Sequence, residues 1–272
     1  MKTILLSLIS SCCILLTLPD TFAQATEYSN LKAILIVGHQ EDGTQSAIDD
    51  MDEIASVFED YKITVHKFYD DEAIWSEIIK VSPECNFLVY SGHGSTLGVD
   101  GKTGGICIEP NSVSTAQILK ELRLKNNALV LFKSVCRGAG SSAGDNDDIG
   151  IKVAKERVTS YAYPFFEIGA AGYYANNFGN GVYNFLKDFL AGKTLKEAYV
   201  NSASTWTTIE FEEPFPNDST KSFSIASTPG GGTSTRTTYT NGVKKVEKIP
   251  TPKEYEIAYV GSTTFSIQDM LK

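Results

Sequence analysis

The sequence predicts an α/β fold, a mostly parallel sheet with helices on both faces, followed by a small C-terminal β appendage. Three observations carry this. Apolar runs at residues 32–38, 86–90 and 128–132 read as strands buried on both faces. Amphipathic helical patterns lie between them. From residue 206 the texture changes to Thr, Ser, Gly and Pro with short β-branched runs.

Taken in order, Ala33-Ile34-Leu35-Ile36-Val37 closes on Gly38 as the first strand. Ile48, Met51, Ile54, Ala55 and Phe58 then recur at helical spacing over residues 46–60, with Asp49, Asp50, Asp52 and Glu53 on the other face near the positive helix start. Residues 63–68 supply a β-branched strand, 71–81 a second helix, and 86–90 a third strand that runs into Ser91-Gly92-His93-Gly94-Ser95. Asp100-Gly101 and Gly104-Gly105 give residues 97–108 the turn chemistry of a small hairpin. Residues 115–122 are helical with Ser114 as N-cap. The strand 128–132 enters Lys133-Ser134-Val135-Cys136-Arg137-Gly138. A further strand at 169–175 precedes helices at 181–190 and 195–204. In the tail, Asn241-Gly242 marks a hairpin between 237–240 and 243–246, and 255–261 and 263–267 read as two more strands. The chain divides into residues 1–23, 24–205 and 206–272, the last packed on or next to the main domain and not an independent unit.

The first segment is read as a secretory signal peptide. Lys2 precedes an apolar run over 4–18, then Pro19 and the small-residue site at Ala23. The run falls short of the roughly 20 residues that cross a bilayer, so no integral membrane segment is expected after its removal. Ile9-Ser10-Ser11-Cys12 offers a lipoprotein-type site instead, but cleavage there would strand the apolar residues 14–18. The expected location is periplasmic or extracellular. The net charge of −9 survives removal of the signal, because Lys2 and Asp20 leave together. So acidic a chain is not expected to bind nucleic acid.

Of five cysteines, Cys85, Cys107 and Cys136 remain after signal removal. Cys85 and Cys107 are read as buried thiols or as a pair, which leaves Cys136 over as a reactive thiol. In an open parallel sheet, chemistry collects beyond the carboxyl ends of the strands. His93 and Cys136 both stand there, after successive strands, each among glycine or serine. A cysteine nucleophile needs partial exposure and a nearby imidazole to manage its proton. The amides of Gly94 and Cys136 are the expected oxyanion donors. A metal centre is not expected, since companion ligands at usual spacings are missing. His39 is read as a rim contact, and His66 as structural.

The motifs Leu88-Val89-Tyr90-Ser91-Gly92-His93-Gly94 and Val130-Leu131-Phe132-Lys133-Ser134-Val135-Cys136 resemble those of the caspase and gingipain superfamily of cysteine peptidases. Cys136-Arg137-Gly138 also fits the core of the caspase pattern, although Ser134-Val135 departs from the Gln-Ala of true caspases. The resemblance spans residues 32–204. It implies a caspase-like peptidase domain, with Cys136 as nucleophile and His93 as the acid that protonates the leaving amine. It implies protein or peptide substrates and no required cofactor. Caspase specificity for aspartate is not implied. Asp145, Asp147 and Asp148, on the loop after the nucleophile, are candidates to hold a basic P1 side chain. They suit calcium as well, and a solvated loop leading into a helix at Asp147 or Asp148 is the plainer account. Two readings from other classes stand beside the peptidase. One is an inactive caspase-like binding module. The other is an adhesin-like surface protein whose β appendage is the working part.

Overall fold

The computed structural model describes residues 28–108, 111–145, 147–203, 207–216, 218–231, 233–240 and 243–272. The signal segment and the Asn241-Gly242 turn lie outside them. Strand β1 (Lys32–Val37) leads to helix α1 (Thr44–Asp60), then β2 (Thr64–Tyr69), α2 (Trp75–Val81) and β3 (Phe87–Ser91). A short excursion forms β4 (Ile106–Ile108) and β5 (Asn111–Val113) before α3 (Thr115–Glu121), β6 (Leu129–Lys133), α4 (Gly150–Glu167) and β7 (Gly172–Asn176). Helices α5 (Gly181–Leu190) and α6 (Leu195–Ala203) precede β8 (Thr208–Phe215), β9 (Asp218–Thr228), β10 (Thr233–Thr240), β11 (Val243–Pro250), β12 (Glu254–Gly261) and α7 (Ile267–Met270).

The main sheet runs β2-β1-β3-β6-β7-β12-β9-β8. Its first five strands are parallel, and β12, β9 and β8 continue it antiparallel. Most strands of residues 206–272 therefore extend the main sheet. Only the β10–β11 hairpin stands apart as a two-stranded ribbon. Because β12 runs against β7, its first residues arrive at the rim where the parallel strands end. That reversal brings the tail into the site.

Alternation along the strands feeds two cores. Leu35, Phe87, Val89 and Leu131 meet Met51, Ile54 and Phe58 of α1 and Phe185 and Phe189 of α5 on one face. Ile36, Leu88, Tyr90, Val130 and Phe132 meet Ile118 of α3 and Val158, Tyr161 and Phe165 of α4 on the other. The sheet is covered on both sides, which explains why its strands are apolar throughout.

Several local expectations shift. Helix α2 begins at Trp75, because residues 70–72 form a single 3₁₀ turn. The strand pair in the excursion lies at 106–108 and 111–113, while residues 97–104 form a turn closed by Leu97 N–H donating to Gly104 O. Residues 263–267 hold the approach to α7, whose Ser266 and Asp269 form a capping box. Helix α3 carries the expected cap at Ser114, paired reciprocally with Gln117.

Lys133, the last residue of β6, is buried, and its ammonium pairs with Asp50 of α1 at 2.7 Å. Its only other acceptor among the described residues is Gly179 O, at 3.4 Å. Removing the carboxylate strands a buried cation. Asp50→Ala is expected to lower stability by about 2 kcal/mol in urea unfolding, and Lys133→Met in the same chain to restore most of it.

Candidate active site

The carboxyl ends of β1, β3 and β6 lie side by side, with Val37 opposite Ser91 and Ser91 opposite Lys133. The chain crosses from β1 to β2 on one flank and returns to β3 on the other, so the loops after β1 and β3 part at this rim and leave a crevice. His93 follows β3 by two residues and Cys136 follows β6 by three. Their loops touch. A Cβ on Gly94 would stand 2.0 Å from the Cys136 carbonyl oxygen, so only glycine permits this approach. The Tyr161 hydroxyl of α4 accepts from Ser95 N–H at 2.8 Å and lies 3.4 Å from Cys136 O, which ties both loops to the helix beneath. Tyr90, at the end of β3, donates to His93 O at 2.9 Å and fixes the other side of the histidine turn.

His93 is half exposed, and its Nε2 lies 3.0 Å from Glu41 Oε2. Glu41 stands in the loop after β1. A carboxylate on Nε2 favours the tautomer with the proton there, which leaves Nδ1 as the base and, once protonated, stabilises the imidazolium. A second pair, His39 Nδ1 with Asp70 at 2.8 Å, lies on the same rim.

Cys136 is half-buried, and its amide donates to no acceptor among the described residues. Gly94 pairs with Ile106 in an isolated bridge. The residues beside the cysteine are conformationally unusual, with Ser134 at φ 55° and Arg137 at φ 70°. Two non-glycine residues in the left-handed region cost roughly 1–3 kcal/mol each and persist where the surroundings enforce them. Here Ser134 N–H donates to Asn176 O, and Arg137 N–H to Ser141 O, at 2.8 and 2.7 Å. The nucleophile candidate thus sits on a turn held from both sides. Glu41 and Asp70, also at positive φ, lie at this rim too.

A pocket of about 280 Å³ opens beside Cys136, bounded by Ser134, Ser141, Asn177, Phe178, Glu254 and Glu256. Glu256 occupies an irregularity where β12 slips against β9 between Tyr255 and Ile257. A bulge re-aims its side chain. Only 8 % of Glu256 is exposed, and its carboxyl is pushed up to about 8 by burial, then by a hydrogen bond with the Glu254 carboxyl and that group's charge. Asn177, whose N–H holds Glu256 O at 2.9 Å, has a buried Oδ1 with no hydrogen-bond partner among the described residues.

The loop acids named from sequence stand elsewhere. Asp145 is held by Arg157 in a two-pronged pair at 2.6 and 2.9 Å and accepts from Ser142 N–H. Asp148 accepts from Gly150 N–H and from the Tyr255 hydroxyl, and Asp147 is exposed. None of the three is among the residues bounding the Cys136 pocket. The helix after this loop begins at Gly150, not at Asp147 or Asp148. Cys85 and Cys107 are free thiols, and burial pushes Cys85 up to about 12. Among the described residues no three His, Cys, Asp or Glu side chains cluster as a metal would need, and no helix is long and apolar enough to cross a membrane.

No protein-family model matches the chain, and no curated protein matches it in sequence.

Proposed function

We propose that the chain is an exported cysteine endopeptidase of caspase-like type that cleaves peptide bonds after basic residues. Export rests on the N-terminal apolar segment, and the peptidase reading on the resemblance of the two strand-end motifs. The observation that carries the reaction is the meeting of the His93 and Cys136 loops at one rim, with Glu41 on Nε2 of the imidazole.

In this reading His93 takes the thiol proton and Cys136 Sγ attacks the scissile carbonyl carbon. The carbonyl electron pair moves to oxygen, where the Cys136 amide is free to donate, with Gly94 as its expected companion. Collapse of the tetrahedral intermediate breaks the carbon–nitrogen bond, and the imidazolium gives its proton to the leaving amine. Water, deprotonated by the same imidazole, then hydrolyses the thioester. Glu41 keeps the ring oriented and supports its charge through both halves.

The basic P1 preference rests on Glu254, Glu256 and the unpartnered Asn177 Oδ1, three acceptors in a small pocket that holds Cys136. A lysine or arginine side chain supplies the missing donors and permits the Glu256 carboxyl to ionise beside Glu254. A positional-scanning fluorogenic library is expected to show turnover concentrated at P1 Lys or Arg, with neutral P1 residues slower by at least about 100-fold. Comparable turnover at acidic or apolar P1 would overturn the specificity. No turnover at any P1, before or after limited proteolysis and with or without calcium, would overturn the enzyme.

A further inference from the structure

The Cys136-Arg137 step separates two pockets. One holds Cys136 and the glutamates. The other, of about 370 Å³, is bounded by Thr96, Lys102, Arg137, Val153, Glu156 and Arg157, together with the glycine turn and Ser160. Thr96 follows His93 by three residues and Arg137 follows Cys136 directly, so a peptide bound across the rim passes both pockets.

The charges of the second pocket are the reverse of the first. Arg157 is committed to Asp145 and to Gly140 O. Arg137 and Lys102 are not committed: neither side chain forms an ion pair or hydrogen bond among the described residues. Glu156, exposed at the same mouth, is not within ion-pairing distance of either. On a chain of net charge −9, two cations without a contact partner in one concavity beside the nucleophile, Arg137 sensing Asp145 only through space, are a local inversion of the surface. The backbone adds a second, independent sign. Arg137 stands at φ 70°, where glycine would rest without strain, so the fold bears the cost of a side chain there. Val153, exposed, offers an apolar wall for a short stem.

We infer that this pocket is a second substrate subsite, one that takes an aspartate or glutamate near the cleaved bond through Arg137 and Lys102. The inference rests on the peptidase reading and extends it. The preferred substrate carries a basic residue at the bond and an acidic residue within a few positions of it, and the two pockets read opposite charges on either side of the Cys136-Arg137 ridge.

The test uses internally quenched peptides with P1 fixed as Arg, in which each position from P4 to P3′ carries Glu or Gln in turn. One position is expected to favour Glu over Gln by about 5-fold in kcat/KM at low salt, declining as salt screens the pair. That ratio should move toward one in Arg137→Gly, which keeps the backbone conformation, and independently in Lys102→Gln on the exposed turn. Equal cleavage of Glu and Gln peptides at every position, or a preference that survives both substitutions, overturns the subsite. If no peptide is cleaved and an electrophilic peptide probe leaves Cys136 unlabelled, the peptidase reading itself has failed, an outcome distinct from a cleaving enzyme indifferent to acid.

Discussion

His93→Ala is expected to lower kcat/KM by about 10³-fold or more while leaving the unfolding transition almost unmoved. General acid–base catalysis by a positioned side chain is worth roughly 10²–10⁴-fold, and this imidazole is asked to act twice, at acylation and deacylation. Its ring is half exposed and its side-chain partner among the described residues, Glu41, is more exposed still, so little packing is lost with it. Glu41→Gln makes a finer test. The amide preserves size but can no longer stabilise an imidazolium, so kcat should fall by about 10-fold with KM little changed. A Glu41→Gln enzyme with unaltered kcat would reduce the carboxylate to a surface contact, as many exposed pairs are.

Glu256→Gln should act in two opposite directions. Its carboxyl stands at about 8 in the folded protein against an ordinary 4.5, chiefly because it is buried and then because Glu254 lies against it. Between those two pH values the folded protein holds a proton that the unfolded chain has released. Stability contributed by this site is therefore full below about 4.5 and is lost as pH rises through the folded value. Glutamine has nothing to ionise. Above pH 8 the variant is expected to be more stable than the parent by roughly 1–3 kcal/mol, with the difference closing below pH 5. Activity should move the other way. Turnover of P1 Arg and Lys substrates should drop by about 10-fold or more, with much less change for neutral P1. A stabilised protein with weakened basic selectivity would display the usual tension between a strained site and a stable fold. Unchanged selectivity would remove the pocket from specificity.

Much of this arrangement was legible in the chain. Continuous apolar runs such as Ala33 to Val37 and Leu129 to Phe132 announce strands covered on both faces, and they are. Their endings told where His93 and Cys136 would stand, since a parallel sheet sends successive strand ends to one rim. Helix α4 was expected only as a start at Asp147 or Asp148, and its extent to Glu167 was not. Ala154, Val158, Tyr161 and Phe165 recur at helical spacing, but Pro164 and the run of aromatic residues around it obscure the pattern. Glu41 lies just beyond the first strand, on the same rim, and strand adjacency of β1 and β3 is the signal that singles it out. Glu256 was harder to find. The alternation of Glu254, Tyr255, Glu256 and Ile257 reads as a strand, but its place beside β7, antiparallel and bulged, comes from a pairing between parts of the chain some 80 residues apart in sequence. Asp145 stood out because it lies on the loop after the nucleophile, nine residues from Cys136. Its pairing with Arg157, twelve residues on, depends on the course of α4.

The central claim is that Cys136 is an activated nucleophile. An electrophilic peptide probe with arginine at P1, applied to the purified protein and followed by peptide mapping, tests it most directly. The account predicts one modified residue, Cys136, at stoichiometric yield, with labelling slowed by His93→Ala and abolished by Cys136→Ala, while Cys85 and Cys107 stay unmodified. Failure to label Cys136, or labelling at the same rate without His93, would contradict it.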